Sequence, residues 1–486
     1  MKLYHLFNKN DTSVSKKEEQ MSLGLEKHHA ENQQFRKENE VLLGAKQAKL
    51  RESFMGRIIV IFIFAIAVFG MTMVVDQTLF KGVSYYVSVL SSVSLLYILF
   101  RVVISFFYRP VREEPLEGYK VSVIIPNFNE GVESVKKSID CLINQDYPIH
   151  EIIFIDDGSE DDSGYQEVLR ISEEFNSYSE VAATLENGAE ASHTRHLPKI
   201  IAHKFEKNQG KRAAQTWGFK KSTGDIIFIV DSDGYIYSDA LRELLKPLRD
   251  PKVSSVVGHI LPRNSKNTIM TRLQDVLYTS AFRIGRAAQS VTGTVLVCSG
   301  ALSVHRKNII MKNLDFFTSA KLLGVENEAG DDRCLTMFAL QDGYKTKYQS
   351  TALCITDVPE RAKNFFKQQV RWNKSFYVYT IYTLKFAWKR PAMLFWTLGE
   401  GFMWIIFAVT KIYEIFNGTT LPIWLMLLYS ATYLILAAMM SGAYYIFRNP
   451  LVFLITPFLS LIHMLILFPV RIYALLTLKK SGWGTR

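Results

Sequence analysis

Five long apolar runs, two near the start and three near the end, constrain this chain more than any other feature. Residues 58–75 and 82–100 carry no charge at all. The run 391–410 is interrupted only by Glu400, the run 418–447 is uncharged, and the run 449–470 is uncharged but holds Pro450, Pro457 and Pro469. A helix needs about 20 apolar residues to cross hydrocarbon, so these runs are read as membrane segments. Basic residues flank them: Arg57 before the first, Arg101, Arg109 and Arg112 after the second, Lys385, Lys389 and Arg390 before the third, and Arg471, Lys479, Lys480 and Arg486 at the end. The loop between the first two runs holds only Asp76 and Lys81 as charges. Positive flanks mark the cytosolic side, which puts the long polar middle there. The prolines of the last run break a straight helix, so the expectation is four full crossings and one broken or re-entrant segment, with two short crossings as the alternative.

The formal net charge of +11 fits these flanks and basic groups for phosphate-bearing substrates, and the chain has no nucleic-acid reader motif. The four cysteines, Cys141, Cys298, Cys334 and Cys354, lack metal-ligand spacing and read as reduced cytosolic thiols. Residues 1–56 are rich in Lys, Glu and Gln, with few aromatics, and read as a solvated tail rather than a signal peptide.

Between the runs the periodicity changes. Strands are expected at 121–126, 152–155 and 226–230, and helices at 133–144, 164–175 and 213–220. Strand, helix, strand at this spacing predicts a parallel α/β sheet. Ligands of such sheets sit at the carboxyl ends of the strands, and there the acidic residues gather. Asp231 and Asp233 follow a five-residue apolar strand, and residues i and i+2 of a strand point to one side. Two convergent carboxylates suit a hard divalent cation, Mg2+ or Mn2+; Asp-Ser-Asp-Gly is also ordinary turn chemistry. Asp156-Asp157-Gly158-Ser159 closes another strand, where a carboxylate can accept from the N–H or O–H groups of a nucleoside. Asn208-Gln209-Gly210-Lys211-Arg212 opens a helix, and helix-start N–H groups beside Lys and Arg favour a diphosphate. Asp331-Asp332 is a third acidic pair; it supplies a general base or simply complements a helix dipole. Gln368-Gln369-Val370-Arg371-Trp372 lies on a basic helical stretch, either pairing phosphate and stacking a sugar or sitting at headgroup level. Glu400, His463 and Arg101 are ionisable groups in or beside apolar runs, which usually face a bundle interior or a watery path.

VSVIIPNFNE (121–130), DDGS (156–159), NQGKRAAQ (208–215), DSD (231–233), VCSG (297–300), GDDRCLT (330–336), YQSTALCITDVPE (348–360), QQVRWNKSF (368–376) and WGTR (483–486) together resemble the processive family 2 glycosyltransferases. Among these they are most similar to the bacterial class I hyaluronan synthases, over roughly residues 57–486. The resemblance implies a GT-A-like, Rossmann-type nucleotide-binding α/β domain in the cytosol, inserted between transmembrane helices. Its implied divisions are a tail (1–56), two transmembrane helices (57–108), a glycosyltransferase domain (109–360), interfacial amphipathic helices (361–390), a transmembrane or re-entrant region (391–478) and a segment closing over the nucleotide (479–486).

The implied activity is an inverting transfer that polymerises UDP-GlcNAc and UDP-GlcA into hyaluronan and extrudes the chain across the cell membrane. A chitin-oligosaccharide or other β-linked polysaccharide synthase is the alternative within the same chemistry, and a transporter or scaffold with an inactive domain lies outside it. Carried over residue by residue, Asp332 is the base and Asp331 steadies it. Pro126, Asn127, Asp157, Lys211, Asp231, Arg371, Trp483 and Arg486 bind the nucleotide sugar. Cys298, Ser299, Gly300, Gln368 and Trp372 meet the acceptor, and Asp231 and Asp233 hold Mg2+ or Mn2+. The chain departs from the family at Ala301, where Pro is usual, at Gly234, where Thr is common, after Phe376, and in its long tail.

Overall fold

The computed structural model describes residues 85–186, 198–232, 234–322, 325–326, 330–416, 423–446 and 449–479. The N-terminal tail, the apolar run 58–75, Asp233, Trp483 and Arg486 lie outside the described residues.

The polar middle forms strands where the apolar stretches predict them. β1 (Val121–Asn127), β2 (Glu151–Asp156) and β4 (Ile226–Ile229) are buried along their whole lengths, as expected of strands covered on both faces. Side chains alternate across a strand, so the two faces feed different cores. Val121, Val123, Ile125, Ile152, Phe154, Ile226 and Phe228 pack into one cluster, while Ile124, Ile153, Ile155, Ile227 and Ile229 pack into the other. α2 (Val132–Ile143) and α3 (Ser163–Glu186) link these strands with β3 (Lys199–Lys204), and α4 (Lys211–Lys221) leads into β4. α3 runs well past the predicted end at Phe175.

After β4 come β5 (Tyr235–Ile236), α5 (Ala240–Leu245), β6 (Val253–Pro262), α6 (Ile269–Thr279), π-helical turns over Ser280–Arg286, α7 (Ala287–Val291) and β7 (Ser303–Arg306). Then follow α8 (Lys307–Lys312), α9 (Leu314–Ser319), a small hairpin of β8 (Lys321–Leu322) and β9 (Val325–Glu326), α10 (Asp331–Gln341) and β10 (Lys345–Thr356). Among the described residues one eight-stranded sheet runs β3-β2-β1-β4-β7-β6-β10-β5. The strand–helix alternation predicts a parallel sheet, but this sheet is mixed. β7 lies antiparallel between β4 and β6, and β5 is antiparallel to β10. Apolar runs report burial on both faces, and direction is set by tertiary connection.

The C-terminal part is helical: α11 (Ala362–Ala387), α12 (Pro391–Phe416), α13 (Ile423–Ser441), α14 (Pro450–Ile455), α15 (Leu459–Ile462) and α16 (Phe468–Leu476). α14 to α16 follow one another through 3-10 turns at Thr456–Phe458 and π turns at His463–Leu467. Pro457 and Pro469 each sit in the first turn of a new segment, where a missing N–H costs least, so they change the turn type without ending the helix. Among the described residues Pro450–Leu476 is the one helical run long and apolar enough to cross a membrane, and Val89–Ser105 and Leu427–Ser441 are shorter apolar stretches. Helices from the two ends of the chain pack together: Leu95 of α1 (Tyr85–Ser105) meets Tyr429, Tyr433, Leu436 and Met440, and Phe100 lies edge-on to Phe395 at 5.0 Å. All four cysteines are free and buried, as their spacing suggests.

Candidate active site

Three sequence-distant acidic positions converge at the carboxyl ends of the strands. β4 delivers Asp231, α4 starts beside it, and α10 opens with Asp331 and Asp332. Both helices begin after a glycine of positive φ, Gly210 at 93° and Gly330 at 79°, a backbone region that disfavours other residues. Lys211, the first residue of α4, joins two of the clusters. Its Nζ lies 2.7 Å from Asp231 Oδ1 and 3.5 Å from Asp331 Oδ2. Gln215, one helical turn further on the same face, donates to Asp331 Oδ2 at 2.8 Å.

The adjacent carboxyls therefore behave differently. Asp331 loses hydration, but the charges of Lys211 and Arg212 and the Gln215 hydrogen bond outweigh this and hold its carboxyl below the usual range. Asp332 is raised, first by burial and then by the Asp331 charge. Its Oδ1 accepts the Arg333 backbone N–H at 2.7 Å, and among the described residues no cation lies within ion-pair distance of it. The Arg333 and Lys211 charges oppose this rise without overcoming it, and a carboxyl raised in this way is suited to accept a proton. Burial pushes the Cys298 thiol up to about 12.

Asp157 is occupied on both oxygens. It accepts the backbone N–H groups of Gln209 and Gly210 at 2.8 and 2.9 Å, so it shapes the loop that carries Lys211. Pro126 and Asn127 end β1 beside it. Asn127 Nδ2 donates to Asp156 Oδ2 at 2.8 Å, and among the described residues its buried Oδ1 has no partner. Arg212, next to Lys211 in sequence, points the other way, to the Phe317 carbonyl, the Phe317 ring and the Tyr379 hydroxyl.

Among the residues expected to meet an acceptor, Cys298 N–H donates to Thr336 Oγ1 at 2.8 Å. A Cβ on Gly300 would lie 3.7 Å from both Asp331 Oδ2 and Lys211 Nζ, so the 297–300 loop borders the acidic centre. Gln368, Arg371 and Trp372 lie on α11, against which Gly330 packs closely at Ser375 and Tyr379. The Arg371 charge acts on both Lys211 and Asp331. Trp372 is 41% exposed, with its ring 6.2 Å from that of Tyr278. Glu400 accepts from Gln289 Nε2 at 2.6 Å and also lines a cavity with Arg333, Thr380, Thr383 and Thr397. His463 Nδ1 bonds the Leu459 carbonyl within its own helix, and Arg101 lies over the Tyr97 ring.

Sequence reading passes over Gln215, Thr336 and Arg286. Gln215 is legible in retrospect, four residues after Lys211 on the same helix. Thr336 joins a bond within its own helix, to the Asp332 carbonyl, to a tertiary one from Cys298, and Arg286 reaches the 297–299 loop, which no local pattern signals.

The family model for glycosyl transferase family 2 matches residues 122–314, and that for glycosyl transferase family group 2 matches residues 226–477. A hyaluronan synthase of Streptococcus pyogenes serotype M1 is 36% identical over 400 residues, 82% of this chain and 91% of that synthase. An N-acetylglucosaminyltransferase of Rhizobium meliloti (strain 1021) is 29% identical over 382 residues, 78% of this chain and 83% of that enzyme. In fold, the chain is similar to the mannosyltransferase PcManGT from Pyrobaculum calidifontis, solved with GDP-Man and Mn2+. The TM-score is 0.54 at 16% identity, over 81% of this chain and 97% of that one.

Proposed function

The chain belongs to glycosyl transferase family 2 and is a glycosyltransferase close to the bacterial hyaluronan synthases, and from that premise we propose that it polymerises UDP-GlcNAc and UDP-GlcA into hyaluronan and passes the product across the membrane that holds it. The observation that carries this reading is that Lys211 joins Asp231 to Asp331, the neighbour of Asp332, at the carboxyl end of β4, beside the α11 helix that bears Arg371 and Trp372.

In this reading the nucleotide lies over the ends of β1 and β2, near Pro126, Asn127 and the loop that Asp157 braces. Lys211 and Arg371 face its diphosphate, with Trp483 and Arg486 assigned to close over it. The acceptor sugar stacks on Trp372, with Gln368 and the Cys298-Ser299-Gly300 loop at its reacting end. Asp332 takes the proton of the acceptor hydroxyl as that oxygen attacks the anomeric carbon. The bond to UDP breaks on the opposite side, so one displacement inverts the centre. Asp331, held ionised by Lys211 and Gln215, keeps the base poised by its charge. Of the two carboxylates assigned to a cation, Asp231 is described. It is a partly exposed oxygen donor, which fits Mg2+ or Mn2+, since Mg2+ takes one or two carboxylates plus substrate phosphates. When bound, such an ion neutralises charge on the departing diphosphate.

Membrane placement is supported by the outward apolar side chains of the terminal helices, among them Leu96, Trp424, Leu451, Leu454, Leu465 and Leu476. We assign residues 57–108 and 391–478 to the bilayer, 361–390 to its surface and 109–360 to the cytosolic domain. Incubating the purified chain with each UDP-sugar alone and with both tests the reading. Long polymer only from the pair, digested by a hyaluronan-specific lyase, is expected. The similarity to an N-acetylglucosaminyltransferase favours the second reading, a chitin-oligosaccharide synthase, and polymer from UDP-GlcNAc alone would select it.

A further inference from the structure

One cation beside the acceptor side lies outside every motif above. α6 passes into π-helical turns over Ser280–Arg286, a local widening that recurs at functional sites. Arg286 closes this stretch. Its Nε donates to the Val297 carbonyl at 3.1 Å and its Nη2 to Ser299 Oγ at 2.8 Å. The guanidinium lies 3.9 Å from the centroid of the Phe282 ring. Phe282 stacks on Tyr278 at 6.4 Å, and Tyr278 is the neighbour of Trp372. Among the described residues no carboxylate lies within ion-pair distance of Arg286, and burial followed by the Arg333 charge pulls it below its ordinary range. Removing a guanidinium from water without a carboxylate partner is costly, and an apolar side chain would pack the same space more cheaply.

The loop that Arg286 grips is held from its other side too. Thr336 Oγ1 accepts the Cys298 N–H and donates to the Asp332 carbonyl at 2.7 Å. The 297–300 loop is thus clamped between the helix that carries the proposed base and the π-helical turn that leads to the acceptor tryptophan. We propose that Arg286 is a positioning residue for the acceptor: its two-pronged grip on Val297 and Ser299 sets the register at which the acceptor hydroxyl meets Asp332. The inference rests on the reading that Cys298–Gly300 and Trp372 receive the acceptor. Lysine offers a point charge and not a planar fork, so charge alone is insufficient.

The test uses the full chain purified in detergent, as wild type, R286Q, R286K, S299A and R286Q/S299A. Initial UDP release, product length and the thermal unfolding midpoint are measured with both donors. R286Q is expected to lower polymerisation at least tenfold and to shorten the product, and R286K to shorten it too. S299A should act in the same direction but less, and the double variant should be no worse than R286Q, because both substitutions cut one contact chain. A residue that only supports the fold would reduce the amount of active enzyme without changing chain length. Wild-type product length from R286Q or R286K therefore overturns the inference. If R286Q does not fold, S299A decides, and wild-type length from S299A overturns it equally. A wild-type chain that forms no polymer from any pair of donors would overturn the functional reading beneath it, a result distinct from the others.

Discussion

Asp331 and Asp332 are neighbours in the chain but carry different electrostatic surroundings. Asp331 has Lys211 and Gln215, whereas Asp332 has a backbone N–H and the repulsion of Asp331. Asp332→Asn keeps the shape and removes the proposed proton acceptor. UDP release should fall by roughly 10²–10⁴, the usual worth of a general base, with an unchanged unfolding midpoint. The pH dependence follows from the same pair. The proposed base works ionised, so activity should be lost as pH falls through its raised pKa. Asp331→Asn removes one of the causes that raise it, and the acid limb of the rate profile should move to lower pH, as a pH series of UDP release on the variant will check. Sequence spacing brings out Asp331 and Asp332 but not their inequality, which depends on Lys211 arriving from a helix over a hundred residues earlier. Arg212 shows the converse. Its place beside Lys211 suggests a joint phosphate site, yet adjacent residues of a helix point about 100° apart, and Arg212 turns to Phe317 and Tyr379.

At the scale of elements, the start of α10 is held by a close approach. Gly330 has a φ of 79°, and a Cβ there would run into the Ser375 side chain of α11. Gly330→Ala combines left-handed strain of about 1–2 kcal/mol with overpacking of about 1–3 kcal/mol. It should lower the unfolding midpoint by several degrees and reduce transfer, because the proposed base and Trp372 lie on the two elements forced apart; calorimetry and UDP release on one preparation check this. Strands β1, β2 and β4 and helices α2 and α4 are legible because burial on both faces and helix-start residues are local signals. The antiparallel β7 and the π turns before Arg286 are not. Strand direction and turn widening depend on what the element packs against, and their residues read locally as ordinary strand and helix.

Over the whole molecule, helices from the two ends of the chain meet. The Tyr85–Ser105 helix packs on α12 and α13 through Leu95, Phe100, Phe395 and Tyr433, while α6 packs on α14 and α15 through Leu273, Val276, Val452 and Ile462. With apolar side chains facing outward from these helices, the chain should sediment with membranes, resist alkaline carbonate extraction and require detergent for solution; release by carbonate would contradict the bilayer assignment. The sequence by itself determined the apolar ends, the buried strands, the acidic corners and the family, because burial, periodicity and motif order are written in neighbouring residues. Only the tertiary structure decided that Lys211 bridges two acidic clusters, that Asp157 braces a loop, and that Arg286 reaches Ser299. Those contacts join residues from 13 to 120 positions apart, and no local pattern specifies which side chains a folded sheet will bring face to face.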